Sequence, residues 1–234
     1  MSQQAILLKI FEFAILVFSL SLHEASHAWM ASRLGDPTAR MLGRVTLNPV
    51  KHIDLLGTII IPLVMLFLPG YGQFLIGWAK PTPVTTRNFK NITRDDILTT
   101  LAGPGSNLLG AMVSTVGLIL LAKTTAAGAL AVRELATGMI DPAVMAASPV
   151  VFPLAIILYL GLQLNLLLAV FNLLPLPPLD GSHIVRHMLP YNALRVYDSM
   201  GMIGLILILF FGGPVIMFFV GPALGFVNAL LVSM

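Results

Sequence analysis

Cysteine is missing from this chain and charge is scarce, with only 10% of its 234 residues being Asp, Glu, Lys or Arg, against about 25% in an ordinary soluble domain. The first absence excludes disulfide scaffolds, thiol catalysis and thiolate metal sites, so any metal must be held by His, Asp, Glu or carbonyl oxygen. The few charges, 13 basic against 10 acidic, are scattered, and nucleic-acid binding is set aside. Repeats, low-complexity tracts and a linker that would mark a second domain are also lacking, which makes residues 1–234 a single domain. No small-residue cleavage site follows the first apolar run, so that run is expected to stay as a span. What fills the sequence is apolar: 57% of residues are hydrophobic, the composition of a membrane protein.

A helical span needs about 20 mostly apolar residues to cross roughly 30 Å of hydrocarbon. Residues 5–34, 97–122, 150–179 and 199–234 qualify, and the last is long enough for one tilted span and a second short one, broken near Gly212, Gly213 and Pro214. The expected fold class is an all-α multi-pass membrane protein with five or six membrane segments. Residues 55–68 are apolar but short, contain Pro62 and lead into a turn-like Pro-Gly-Tyr-Gly. Arg33, Arg40, Arg44 and Lys51 precede this stretch and Lys80, Arg87, Lys90 and Arg94 follow it, so both flanks fit the cytoplasmic side. The economical reading is a re-entrant, membrane-embedded β hairpin with extended segments around residues 73–78 and 81–84, sheltered from lipid by the helices; an ordinary short span is the alternative. Residues 123–149 then form an external loop, and Arg186 and Arg195 lie inside.

The sharpest chemical signal is His23-Glu24-Ala25-Ser26-His27. Residues four apart share a helix face, so both imidazoles can bind one zinc ion while Glu24 reaches the remaining water. Those residue types are needed because zinc takes neutral imidazole nitrogen, and the water it acidifies needs a carboxylate to receive its proton. If the helix runs to Arg33 at the interface, His27 and His23 lie about 9 and 15 Å deep, where ionisable groups are costly and usually functional. A catalytic zinc site usually has three protein ligands plus water. Asp180 is the candidate third, at the end of a strip expected to be extended and rigid because Pro175, Pro177 and Pro178 cannot continue a helix; the plainer reading is that Asp180 caps a short helix over 182–189.

Together, the HEASH pentapeptide and the later Asn-Leu-Leu-Pro-Leu-Pro-Pro-Leu-Asp-Gly of residues 172–181 resemble the site-2 protease family of intramembrane zinc metalloproteases. Residues 77–84 (GWAKPTPV) are similar to that family's GxxKPxPV stretch, residues 101–107 (LAGPGSN) to its AGPxxN segment, and residues 47–57 (LNPVKHIDLLG) to the short, bacterial-type subgroup. The motifs recur in family order over about residues 15–185, with no room for a PDZ or CBS domain. The resemblance implies one zinc ion per chain held by His23, His27 and Asp180. It implies Glu24 as general base and Asn172 as the amide donor that steadies the substrate carbonyl or oxyanion. It further implies an endopeptidase that cuts within membrane-spanning segments, in regulated proteolysis or in clearance of membrane remnants. Its partners would be the lipid bilayer and single-span or signal-peptide-like substrate helices. Its place would be a bacterial cell membrane, with the active site toward the cytoplasm.

Other polar residues carry less. His183 and His187 repeat the four-residue spacing, but no acid lies between them, and solvation at the interface explains them more simply than a second metal. His52 and Asp54 could support the site, and Asn107 could either touch substrate or join helices beside Gly103 and Gly105. A metal-transporting membrane protein is the rival from another class, since buried His and Asp beside broken helices also describe ion pathways; such a site has no use for Glu24 as a base.

Overall fold

The structure, a computed structural model, describes residues 3–67 and 77–234. Ten α-helices follow in order: α1 (Gln3–Leu34), α2 (Thr38–Met41), α3 (Ile61–Phe67), α4 (Ile92–Thr124), α5 (Ala126–Thr137), α6 (Pro142–Ala147), α7 (Val151–Asn172), α8 (Gly181–Arg186), α9 (Tyr191–Ser199) and α10 (Gly201–Val232). Among the described residues, three stretches are long and apolar enough to cross a membrane: Ile6–Leu34, Ile92–Thr124 and Val151–Asn172.

Local sequence explains the limits of these three helices. Helix α1 stops where Gly35 takes a φ of 111°, a conformation open to residues without a Cβ, and Asp36 N–H closes the end on Ala31 O at 2.9 Å. Asn91 starts α4 by accepting from Arg94 N–H at 3.1 Å, an N-cap. Pro104 inside α4 removes the amide that would bond Thr100 O and crowds that turn. Helix α7 ends at Asn172, seven residues before the apolar run does, because Leu173 to Asp180 fold into successive turns, with Leu176 N–H on Leu174 O at 2.8 Å and Leu179 N–H on Leu176 O at 2.9 Å. The strip expected to be extended is therefore compact.

Helices α1, α4 and α7 pack together. The main core lies toward the far end of α4, where Ala111 and Leu118 meet Ala131, Val132 and Leu135 of α5, Phe152, Ile156, Tyr159 and Leu162 of α7, and Val220 and Leu231 of α10. A smaller cluster of Leu16, Leu20, Leu164, Leu168 and Ala79 joins α1 to α7 and to the segment before α4.

Three expectations are corrected. Among the described residues there is no strand, and the β hairpin is absent. Asp54 Oδ1 accepts from Leu56 and Gly57 N–H at 3.1 and 2.7 Å and so caps a π-helical turn over Leu55–Ile60 that runs on into α3. Residues 77–85 return alongside it, with Trp78 N–H on Gly57 O at 3.1 Å and Lys80 N–H on His52 O at 2.8 Å. Pro81 and Pro83 have no N–H to give a ladder, so the pairing cannot extend into a strand. The outgoing arm is thus helical and the returning residues 77–85 are irregular; residues 68–76 of the expected hairpin lie outside the described residues. Second, among the described residues three helices, rather than five or six segments, are long and apolar enough to span, and α10 passes through Gly213 and Pro214 without the expected break. Third, the 123–149 stretch is helical, as α5 and α6, and α5 contributes to the core.

Candidate metal centre

Three ligand atoms from two distant parts of the chain converge. His23 Nε2 and His27 Nε2, one turn apart on α1, lie 3.0 Å from each other, and Asp180 Oδ2 lies 3.0 Å from the first and 3.3 Å from the second. Three ligands about 2.0 to 2.1 Å from a tetrahedral zinc would be about 3.3 Å apart, so the triangle matches within a few tenths of an ångström. Both histidines are buried and the Asp180 side chain is 21% exposed, so the site opens on the Asp180 side.

Where the protons sit decides whether this triangle suits a cation. His27 Nδ1 faces the Thr99 carbonyl at 2.7 Å, an acceptor only, so that nitrogen carries the hydrogen. His23 Nδ1 faces Asn107 Oδ1 at 2.6 Å. That amide is oriented by a relay: Asn165 Nδ2 donates to Gly161 O at 2.8 Å, Asn165 Oδ1 accepts from Asn107 Nδ2 at 2.9 Å, and the same Nδ2 donates to Ser19 O at 3.2 Å. The oxygen of Asn107 is left for His23, which makes Nδ1 a donor there too. Both Nε2 atoms therefore present lone pairs to a carboxylate oxygen that itself has no hydrogen-bond donor. Three buried lone pairs facing one another repel unless a cation lies among them, which is the tautomer and second-shell pattern of metal-bound histidine. The residues fit zinc.

Helix α4 shapes this arrangement. A Cβ on Gly103 would lie 2.6 Å from His27 Cε1 and 2.7 Å from His23 Cε1, so only glycine lets the helix pass this close to both rings. Asp180 opens α8 but its side chain caps nothing, which rules out the plainer reading of that residue.

Next to His23 along α1 stands Glu24. Its Oε2 accepts from Thr82 N–H at 2.7 Å, while Thr82 Oγ1 donates to Glu24 O at 2.9 Å. The segment carrying Thr82 is fixed at both ends. Buried Arg44 donates to the carbonyls of Lys51 (2.5 Å) and Lys80. Buried Asp36 accepts from Thr85 N–H at 2.7 Å, from Asn88 Nδ2 at 2.8 Å and from Thr38 N–H at 3.1 Å. Burial would raise the Asp36 pKa, but these bonds and that of the Thr38 hydroxyl more than offset it and hold the carboxyl below its ordinary value. His52, which donates from Nε2 to Thr46 O at 2.8 Å, is pushed down by burial and further by Arg44, and so stays neutral.

Of the residues singled out from sequence, His23, His27 and Asp180 come together and Glu24 lies beside them in the chain. Asn172, at the end of α7, has its Nδ2 on Leu168 O of its own helix at 3.0 Å. His183 and His187 are not simply solvated, because both face Asp96 Oδ2, at 3.7 and 2.7 Å. Sequence reasoning missed Asn165, although a lone amide midway along an apolar run is itself a signal for a buried partner, and it missed Asp96, one residue outside the expected start of its helix.

The geometry has counterparts among known proteins. The family model described as peptidase family M50 matches residues 11–212. The chain is 38% identical over 175 residues to a Bacillus subtilis protein named "Putative zinc metalloprotease YwhC", covering 75% of this chain and 67% of that one. It is 33% identical over 165 residues to "Putative zinc metalloprotease Rip2" of Mycolicibacterium smegmatis and 30% identical over 168 residues to the protein of that name in Mycobacterium tuberculosis. These matches cover 70% of this chain, which spans about half the length of the Rip2 proteins. No solved structure matches the chain significantly.

Proposed function

The chain belongs to peptidase family M50, the site-2 protease family of zinc metalloendopeptidases, and we propose that it hydrolyses peptide bonds within membrane-spanning segments. The observation that carries this reading is the convergence of three proton-free ligand atoms where two of them sit on α1, inside a stretch able to cross the membrane. His23, His27 and Asp180 would hold the zinc, which when bound acidifies water and polarises a carbonyl. Glu24 takes a proton from the attacking water and delivers it to the leaving amine, so the broken C–N bond gains hydroxyl on carbon and hydrogen on nitrogen. Thr82 N–H holds Oε2 of that carboxylate, leaving the other oxygen to exchange the proton. Asn172 has a second amide hydrogen beyond the one given to Leu168 O, and that hydrogen serves the substrate carbonyl. The partly exposed Asp180 side, with the exposed His183 ring on the same short helix, supplies a polar approach for water.

The bilayer and membrane-spanning substrates are the partners of such a site. The basic residues on both flanks of 55–68 support a cytoplasmic position for this end of the chain, and cutting would then fall in the cytoplasmic third of the substrate span. A substrate helix keeps its carbonyls bonded within itself, so Gly, Pro or Asn near that level lowers the cost of opening it. A metal transporter would not need Glu24, and family membership sets that reading aside. The test is cleavage of single-span substrates by purified protein, with product ends mapped by mass spectrometry. Cuts inside the span, faster with helix-weak residues and abolished in Glu24→Gln with zinc retained, are expected. Cuts confined to water-exposed loops, or near-native turnover by Glu24→Gln, would overturn the reading.

A further inference from the structure

Asp180 is the least anchored of the three ligands in sequence. His23 and His27 ride on a 32-residue helix, whereas Asp180 follows a run of turns containing three prolines, which lack N–H donors, and opens a helix of six residues. Local turns, such as Ser182 N–H on Leu179 O at 3.0 Å, hold its start, and a contact from outside that segment can fix where α8 points.

The contact that does so is made at the other end of α8. His187, which caps its C-terminus, places Nε2 2.7 Å from Asp96 Oδ2, and His183 within α8 places Nδ1 3.7 Å from the same oxygen. Asp96 is buried, at 7% exposure, so its charge has little water to fall back on and depends on these rings. Asp96 also belongs to a stripe of α4 at helical spacing, with Thr99, Gly103 and Asn107. Thr99 O receives His27, Gly103 lies against both rings, and Asn107 Oδ1 receives His23. One face of one helix therefore touches every element that brings a ligand.

We propose that Asp96 is a positioning residue for Asp180, acting through His187: it locks α8 to the same face of α4 that sets the two histidines, and so places the third ligand in register with them. The inference rests on the ligand set proposed above. His187→Ala and Asp96→Ala should each weaken zinc binding by about 10- to 100-fold, the range seen when groups that orient metal ligands are lost. Asp96→Asn should recover most of the affinity, because its amide oxygen still accepts from His187.

The test measures zinc affinity by chelator competition on the full chain in detergent. It includes both substitutions in an Asp180→Ala background and thermal unfolding of the chelator-treated forms. If Asp96 and His187 act through Asp180, neither substitution changes the residual affinity of Asp180→Ala, and zinc-free stability does not account for the loss. Undiminished affinity in His187→Ala, or the same fold-loss with and without Asp180, would overturn the proposal. Failure of the ligand set itself looks different: zinc content would be unchanged in His23→Ala and His27→Ala.

Discussion

Replacing Gly103 by alanine separates two physical effects of opposite sign. By helix propensity alone, Gly→Ala in the interior of α4 should stabilise the protein by about 1 kcal/mol. Packing says otherwise. Non-bonded carbons rest about 3.5 to 4.0 Å apart, and the new Cβ would sit 2.6 Å from His27 Cε1 and 2.7 Å from His23 Cε1. Each ring would have to retreat by roughly 1 Å to reach that ordinary separation. Neither is free to do so, since their Nδ1 atoms are held at 2.7 Å by Thr99 O and 2.6 Å by Asn107 Oδ1, and a shift of that size would take both beyond hydrogen-bonding range. The alternative is for α1 and α4 to move apart, at a typical overpacking cost of about 1 to 3 kcal/mol.

Gly103→Ala should therefore lose zinc affinity by about 100-fold or more, beyond the usual effect of disturbing one orienting group, and should not gain the stability that propensity promises. Gly105 is the built-in control, on the same helix two residues on, where an added Cβ meets nothing within 4 Å. Gly105→Ala should bind zinc as the native chain does and unfold at the same or a slightly higher temperature. Chelator competition and thermal unfolding of the zinc-free forms measure both quantities. Native zinc affinity in Gly103→Ala would refute the geometry of the site.

Three more expectations follow from the surrounding bonds. Asn107→Leu removes the acceptor for His23 Nδ1 and should weaken zinc about 10- to 100-fold in chelator competition, whereas Asn165→Leu, which leaves Asn107 Nδ2 its bond to Ser19 O, should cost less than about 10-fold. Thr82→Pro deletes the N–H that holds Glu24 and should lower kcat about 10-fold or more with zinc content unchanged, since the base loses its orientation but the ligands do not. The Asp36 carboxyl has a folded pKa below its unfolded value near 3.8, so its contribution to stability is full above that pH and is lost as pH falls through the folded pKa; denaturation midpoints should drop below about pH 4, and Asp36→Asn should flatten that drop.

The parts of this site that were legible in the sequence share one property: their meaning is local. His23, Glu24 and His27 are related by a single helical turn, and the apolar stretches that became α1, α4 and α7 announce themselves by length. Asp180 was legible from its prolines and from the resemblance, although the shape of its approach was not. What escaped was chemistry made across helices. Nothing along the chain says that Asn165 of α7 meets Asn107 of α4, or that Asp96 meets His187, because such pairs have no period and no spacing. The expected β hairpin failed for a different reason. Residues 77–84 suggest extended backbone, but Pro81 and Pro83 have no N–H to give a ladder, and Asp54, an acid just ahead of an apolar run, starts a helix.

The two halves of the reaction centre are held by different kinds of structure, and this has a consequence for how substitutions should sort. The proposed ligands are oriented from within the long apolar helices: a carbonyl and an amide of α4, a second amide of α7, and α8 joined to α4 at Asp96. The proposed base is oriented from outside them, by a segment that Arg44 ties to Lys51 and Lys80 and that Asp36 ties to the end of α1. The helices bury their hydrogen bonds where water cannot compete, so the ligand geometry is stiff. The loops depend on a few buried polar hubs, Asp36 and Arg44, of which Asp36 is lost when acid protonates it. Changes in the α4 stripe should accordingly appear in metal affinity, and changes around Asp36, Arg44 and Thr82 in turnover at constant metal. A member of either group that moved both quantities equally would mean that Glu24 and the ligands are coupled more tightly than the separate supports imply.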